Sequence, residues 1–181
     1  MQTNEIIGRS YPPSTQPFVG TTPVQDRFSW CDVKPEIKQL LLLASENWQY
    51  TGLAEKYIRE ALSKAGNNLD VLVGAYRFFF YKHKPAIALS IAQKVLVAIA
   101  NQENLPSKWL ELKPILLSRQ QEPKIRLYLN AYAATGLILA QLGRLEEAKE
   151  ISQRVREIDD SSQFCANTVF EILTKTPDEE E

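Results

Sequence analysis

The chain is poor in the residues that most chemistry needs. Among 181 residues there is one histidine, His83, and there are two cysteines, Cys31 and Cys165, far apart in sequence. A zinc module needs paired ligands at short spacings, and neither cysteine has a neighbour of that kind. A disulfide framework is equally excluded, and two isolated thiols suit a reducing compartment. The seven glycines are scattered singly, so no glycine-rich loop is present to cradle a phosphate. No uninterrupted apolar run approaches the roughly 20 residues of a membrane span; "LLLLA" at 40–44 and "VLVAIA" at 95–100 are typical. The N-terminus, "MQTNEIIGRSYPPSTQPF", lacks the basic start and apolar core of an export signal. Net charge is −1, which supplies no chain-wide attraction for nucleic acid or anionic lipid. These absences predict a cytoplasmic protein without metal, cofactor, membrane span or small-molecule substrate.

What is present is helical period. Residues 1–31 form an extended arm with Pro12, Pro13, Pro17 and Pro23, and carry Tyr11, Phe18, Phe28 and Trp30. Aromatics of that size are expensive in a plain linker, so they are expected to dock on the body of the protein or on a partner. From Pro35 onward the apolar residues recur at helical spacing, and no stretch alternates as a strand does. "PEIKQLLLLASEN" reads as a first helix, with Pro35 suited to its first turn. "GLAEKYIREALSKAG" is a second, closed by Gly66. "NLDVLVGAYRFFFYKHK" and "PAIALSIAQKVLVAIANQ" follow, and "NLPSKWLELKPILLSRQQEP" holds a short helix between prolines. "KIRLYLNAYAATGLILAQLG", "RLEEAKEISQRVREID" and "SSQFCANTVFEILTK" complete the body. The tail "TPDEEE", 176–181, is acidic and should be solvated.

The second helix of each pair carries a repeated signature. Ala54, Ile58 and Ala61 stand at i, i+4 and i+7; Ala88, Ala92 and Val95 repeat the offsets, as do Ala148, Ser152 and Val155. A small residue is required where two helix axes approach closely, because a larger side chain would hold them apart. Ala54 and Ala88 are 34 residues apart, whereas Ala88 to Ala148 is 60, an excess of 26 that marks an insertion at about 102–122. In the third copy Gly136 admits the partner helix and Gly143 closes the turn. In the second, Tyr76 stands where that glycine is expected.

Helix–turn–helix units at a 34-residue period resemble the tetratricopeptide repeat. The resemblance covers about residues 33–175. It implies an all-α, right-handed stack of three helix pairs with an insertion and a C-terminal capping helix, in a single domain spanning 32–175.

That register also sorts the densest segment of the chain, Tyr76–Lys84, which has five aromatic and four basic side chains in nine positions. Leu72, Ala75 and Phe79 fall towards the paired helix. Asp70, Val73, Arg77, Phe80 and Tyr81 fall on the inner face, where tetratricopeptide proteins hold partner surfaces. The matching positions are Asn130, Ala133, Ala134, Leu137 and Gln141 in the third copy, and Glu36, Gln39, Leu40 and Leu43 in the first. Aromatic anchors beside an arginine have the composition of interface hot spots. So apolar an inner face favours a helix or folded surface over an acidic C-terminal peptide, and the Lys/Asn/Arg clamp of chaperone-binding relatives is absent.

The same residues bear on other chemistries. His83 falls in a turn without a nucleophile or orienting acid beside it, so catalysis is not expected. The carboxylates of "LEEAKE" fit a solvated helix face. Arg77, Lys82 and Lys84 interleaved with Phe80 and Tyr81 suit base stacking with phosphate contact, and Lys108, Lys113, Arg119, Lys124 and Arg126 add charge near the insertion. No recognisable RNA or DNA module accompanies them, and RNA binding stands behind protein binding. The stretch "NLDVLVGAYRFFFYKHKPAIALSIAQKVL" is similar to small bacterial helical-repeat proteins called nitrogenase-associated factors. That resemblance implies a protein partner, the molybdenum–iron protein of nitrogenase, bound during assembly, protection or repair. A non-catalytic assembly or stabilising factor is the expectation, with a general adaptor for another client as the alternative.

Overall fold

The computed structural model describes residues 32–158, and these contain seven α-helices and no strand. They are α1 (Pro35–Glu46), α2 (Thr51–Ala65), α3 (Leu69–Tyr81), α4 (Pro85–Glu103), α5 (Trp109–Arg119), α6 (Pro123–Gln141) and α7 (Leu145–Arg156). Proline opens α1, α4 and α6, where its missing N–H costs nothing. Asn68 caps α3 by accepting the Val71 N–H at 3.2 Å, with Asp70 in the first turn against the helix dipole. The expected arm, capping helix and acidic tail, together with both cysteines, lie outside the described residues.

Three antiparallel pairs result: α1 with α2, α3 with α4, and α6 with α7. Two of their turns are built alike. His83 and Gly143 take left-handed backbone conformations, φ 54° and 75°, and the next N–H in each case reaches back over the turn. Lys84 N–H bonds the Phe79 carbonyl at 2.9 Å, and Arg144 N–H bonds the Leu139 carbonyl at 2.9 Å. Glycine enters this conformation freely, whereas histidine does so at a cost of about 1 kcal/mol. The sole histidine is therefore a turn residue, exposed and bonded through its backbone N–H to the Phe80 carbonyl at 3.1 Å.

Beyond each turn the second helix starts identically. The carbonyls of Tyr50, Lys84 and Arg144 accept from Ala54, Ala88 and Ala148, and all three alanines have no exposed surface. Gly136 is buried on α6 facing α7; a methyl group there would lie 3.1 Å from Ile151 Cγ2. Tyr76, at the corresponding place in α3, is buried and packs as part of the core. The small-residue signature thus marks close approach in every pair.

The core runs through all three pairs, with Phe79, Val95, Ile99, Ile125, Leu129 and Ile138 fully enclosed. Helix α4 packs along α3 on one side and α6 on the other. Its central position explains its composition: by length and hydropathy alone it matches a membrane span, and its buried residues are those of a helix with two neighbours. The insertion is a helix of its own, α5, which continues through Pro114. The carbonyl freed four residues earlier belongs to Leu110, which is 88% exposed and so has water available. Leu112 and Leu116 point inwards from α5. Trp109 stacks on Tyr132 at 6.3 Å, lies under the Arg154 guanidinium at 5.2 Å, and donates its indole N–H to Glu157 at 3.3 Å. Arg119 and Lys124 both reach Glu103 at the end of α4. The insertion braces the ends of α4, α6 and α7.

Candidate functional site

The first and second pairs meet differently from the second and third. Helices α2 and α3 touch over a short length, and between α1 and α3 lies a cleft of about 310 Å³. One wall is Leu41, Ala44 and Ser45 of α1 with Trp48 just beyond its end; the other is Gly74, Arg77, Phe78 and Tyr81 of α3. Each set follows i, i+3, i+4, i+7, which is one continuous stripe on a helix. Ile58 of α2 lies between them. The hollow has a direct cause in the sequence: its lining includes the small residues Ala44, Ser45 and Gly74, and nothing stands within 4 Å of where a Gly74 side chain would begin.

The far end of the cleft is aromatic and held in place. Trp48 meets Phe78 edge-to-face at 5.4 Å. Lys82, the residue after α3, donates to the Trp48 carbonyl at 2.6 Å and places its ammonium 4.2 Å above the indole. Trp48 therefore keeps its position while remaining 41% exposed, and Tyr81 on the opposite rim is 63% exposed. A ring already held by such contacts has less freedom to lose on binding. Arg77 is the one charged residue in the lining, is exposed, and has no ion-pair partner among the described residues.

Polar ties hold the first pair to the second around this cleft. Lys84 pairs with Glu55 near the start of α2, and that hydrogen bond is the main reason the Glu55 carboxyl is held below the usual carboxylate range; Arg59 adds to it. Asn68 donates to the Asp32 carbonyl at 3.3 Å. The second joint differs in kind. Glu103 is held low by hydrogen bonds from Arg119 first and Lys124 second, and Glu157 by Lys113. Burial pushes the Tyr128 phenol up to about 12.

Of the residues expected on the inner face, Arg77 and Tyr81 line the cleft. Asp70, Val73 and Phe80 are half-buried on α3 outside it; Val73 and Phe80 pack against the core, and Phe80 meets Tyr81 edge-on at 5.4 Å. Asn130 and Gln141 are exposed and Leu137 is half-buried on α6, none of them at the cleft. Leu40, an inner position of the first copy, is buried. Sequence reasoning missed Trp48, Phe78 and the α1 wall. The available signal was the stripe Leu41–Ala44–Ser45–Trp48, which ends on a tryptophan just past the helix terminus.

The fold and cleft together define a class: a stack of helix pairs with an apolar hollow between its first two units. No family model matches the chain, and no solved structure matches it. Over 127 residues it is 32% identical to the "uncharacterized 19.8 kDa protein in nifW 5′ region" of Azotobacter chroococcum mcd 1, covering 68% of this chain and 71% of that protein. The chain belongs to the same family as that protein.

Proposed function

We propose that the chain is a non-catalytic protein-binding factor of tetratricopeptide type, which grips a larger enzyme and serves its assembly or stabilisation. The observation that carries this reading is the preformed cleft between α1 and α3, with Trp48, Tyr81 and Arg77 presented at its rim. Large exposed aromatics beside an unpaired arginine are the residues that most often dominate binding energy. Filling the hollow with one large apolar side chain is worth about 1.5–3 kcal/mol. The relative's place in a nif region supports a client from nitrogen fixation, and the molybdenum–iron protein of nitrogenase is the one we name.

The test is a titration of purified molybdenum–iron protein, in its mature and cofactor-free forms, against the full chain immobilised on a biosensor. Saturable binding to either form is expected, weakened at least tenfold in a Trp48→Ala, Tyr81→Ala double variant. Absence of binding to both forms would sink the named client. Binding that ignores the double variant would remove the cleft from the function.

A further inference from the structure

We infer that the cleft between α1 and α3 receives an α-helix of the partner, which inserts one large apolar side chain between the walls and sets an aspartate or glutamate against Arg77. This rests on the protein-binding reading above and specifies what is bound. Three features of the cleft select that occupant.

The first is shape. Both walls are ridges of helical spacing about two turns long, and α1 and α3 run in the same direction as first members of successive pairs. A groove between two such ridges accepts the ridge of a third helix. The second is hydrogen bonding. Most wall backbone groups are bonded within their own helices, and the Trp48 carbonyl at the mouth is already taken by Lys82. An extended peptide would find no ladder of donors and acceptors there, whereas a helix arrives with its own backbone satisfied. The third is charge. Arg77 brings a guanidinium without an ion-pair partner among the described residues, and no acidic residue lines the cleft, so the complementary group is a carboxylate. At the rim of an apolar hollow, such a pair adds direction to the apolar contact.

A displayed library of four-turn helical peptides, randomised along one face, tests this against the full chain. Selection is expected to enrich a Phe, Leu or Trp with an Asp or Glu three or four residues away. Selected peptides should lose at least tenfold in affinity for Arg77→Glu, and a fresh selection on that variant should favour Lys or Arg at the same position. Reversal of charge preference is a readout that mere damage to the fold would not produce. Enrichment of extended sequences, no enrichment, or a charge preference indifferent to Arg77→Glu would overturn the inference. It would also fall if peptides bound only after removal of residues 1–30, which would make that segment the occupant. Self-association of the full chain that Arg77→Glu abolishes would make the occupant a second copy. If the molybdenum–iron protein binds through the cleft while selection fails, the helical ligand is wrong and the protein-binding reading stands; failure of both ends both.

Discussion

The two joints of this stack are made from the same kind of helix pair and behave as opposites. At the second, α4 and α6 lie side by side along their length, carry fully enclosed Val95, Ile99, Ile125 and Leu129, and have α5 braced across their ends. At the first, α2 and α3 touch briefly and the space between α1 and α3 is left unfilled. The difference lies in side-chain volume. Small residues placed where helices converge pull a pair together, as Ala54, Ala88 and Ala148 do; small residues placed where no partner closes in, such as Ser45 and Gly74, leave a hollow. The same residue type has opposite consequences according to what faces it.

The largest effect should come from removing volume at the tight joint. Ile99→Ala is expected to cost about 2–5 kcal/mol in urea unfolding, with a cavity term because the neighbours are fixed. Trp48→Ala, at the open joint, should cost about 1–2 kcal/mol, since it gives up the Phe78 ring contact and the Lys82 ammonium over the indole but leaves no enclosed cavity. Equal losses would mean that the two joints are equally packed.

A smaller contrast is set by two glycines. Gly74→Ala meets open space within a helix and should stabilise the fold by about 0.5–1 kcal/mol through helix propensity. Gly136→Ala gains the same propensity but places a methyl 3.1 Å from Ile151, so it should fall about 1 kcal/mol below the Gly74 variant. Thermal or urea unfolding of the two variants measures the gap, and a gap of zero would show that the α6–α7 contact yields without resistance.

The smallest effect concerns pH at the open joint. Because folding lowers the Glu55 pKa, its contribution is present above the unfolded value near 4.5 and is lost as pH falls through the folded value. Amide exchange in α1 and α2 should therefore rise below about pH 4.5, in parallel with exchange at the second joint, where Glu103 and Glu157 are held low in the same way. Glu55→Gln should erase that acid dependence while leaving the second joint unchanged. Retention of the full dependence in Glu55→Gln would place the titration elsewhere.

Much of this architecture can be read from the amino acids alone. Proline at helix starts, glycine at two stops and the recurrent alanines locate the pairs, because these residues act through their own backbone and through one contact distance. His83 could be assigned to a turn because the helical period breaks around it. The inner face was legible only in part. Arg77 and Tyr81 follow from the register of α3, but half of the cleft belongs to α1, whose stripe ends on Trp48 and looks in sequence like an ordinary amphipathic flank.

Sequence by itself determined the helices, their pairing and the points of closest approach, since those depend on local period and on single small residues. Tertiary structure alone decided that the first joint stays open and the second closes. That outcome depends on which surfaces of separate pairs come to face each other. A stripe such as Leu41–Trp48 becomes a cleft wall only when Gly74 and Phe78, from the next helix pair, are brought opposite it and do not fill the space.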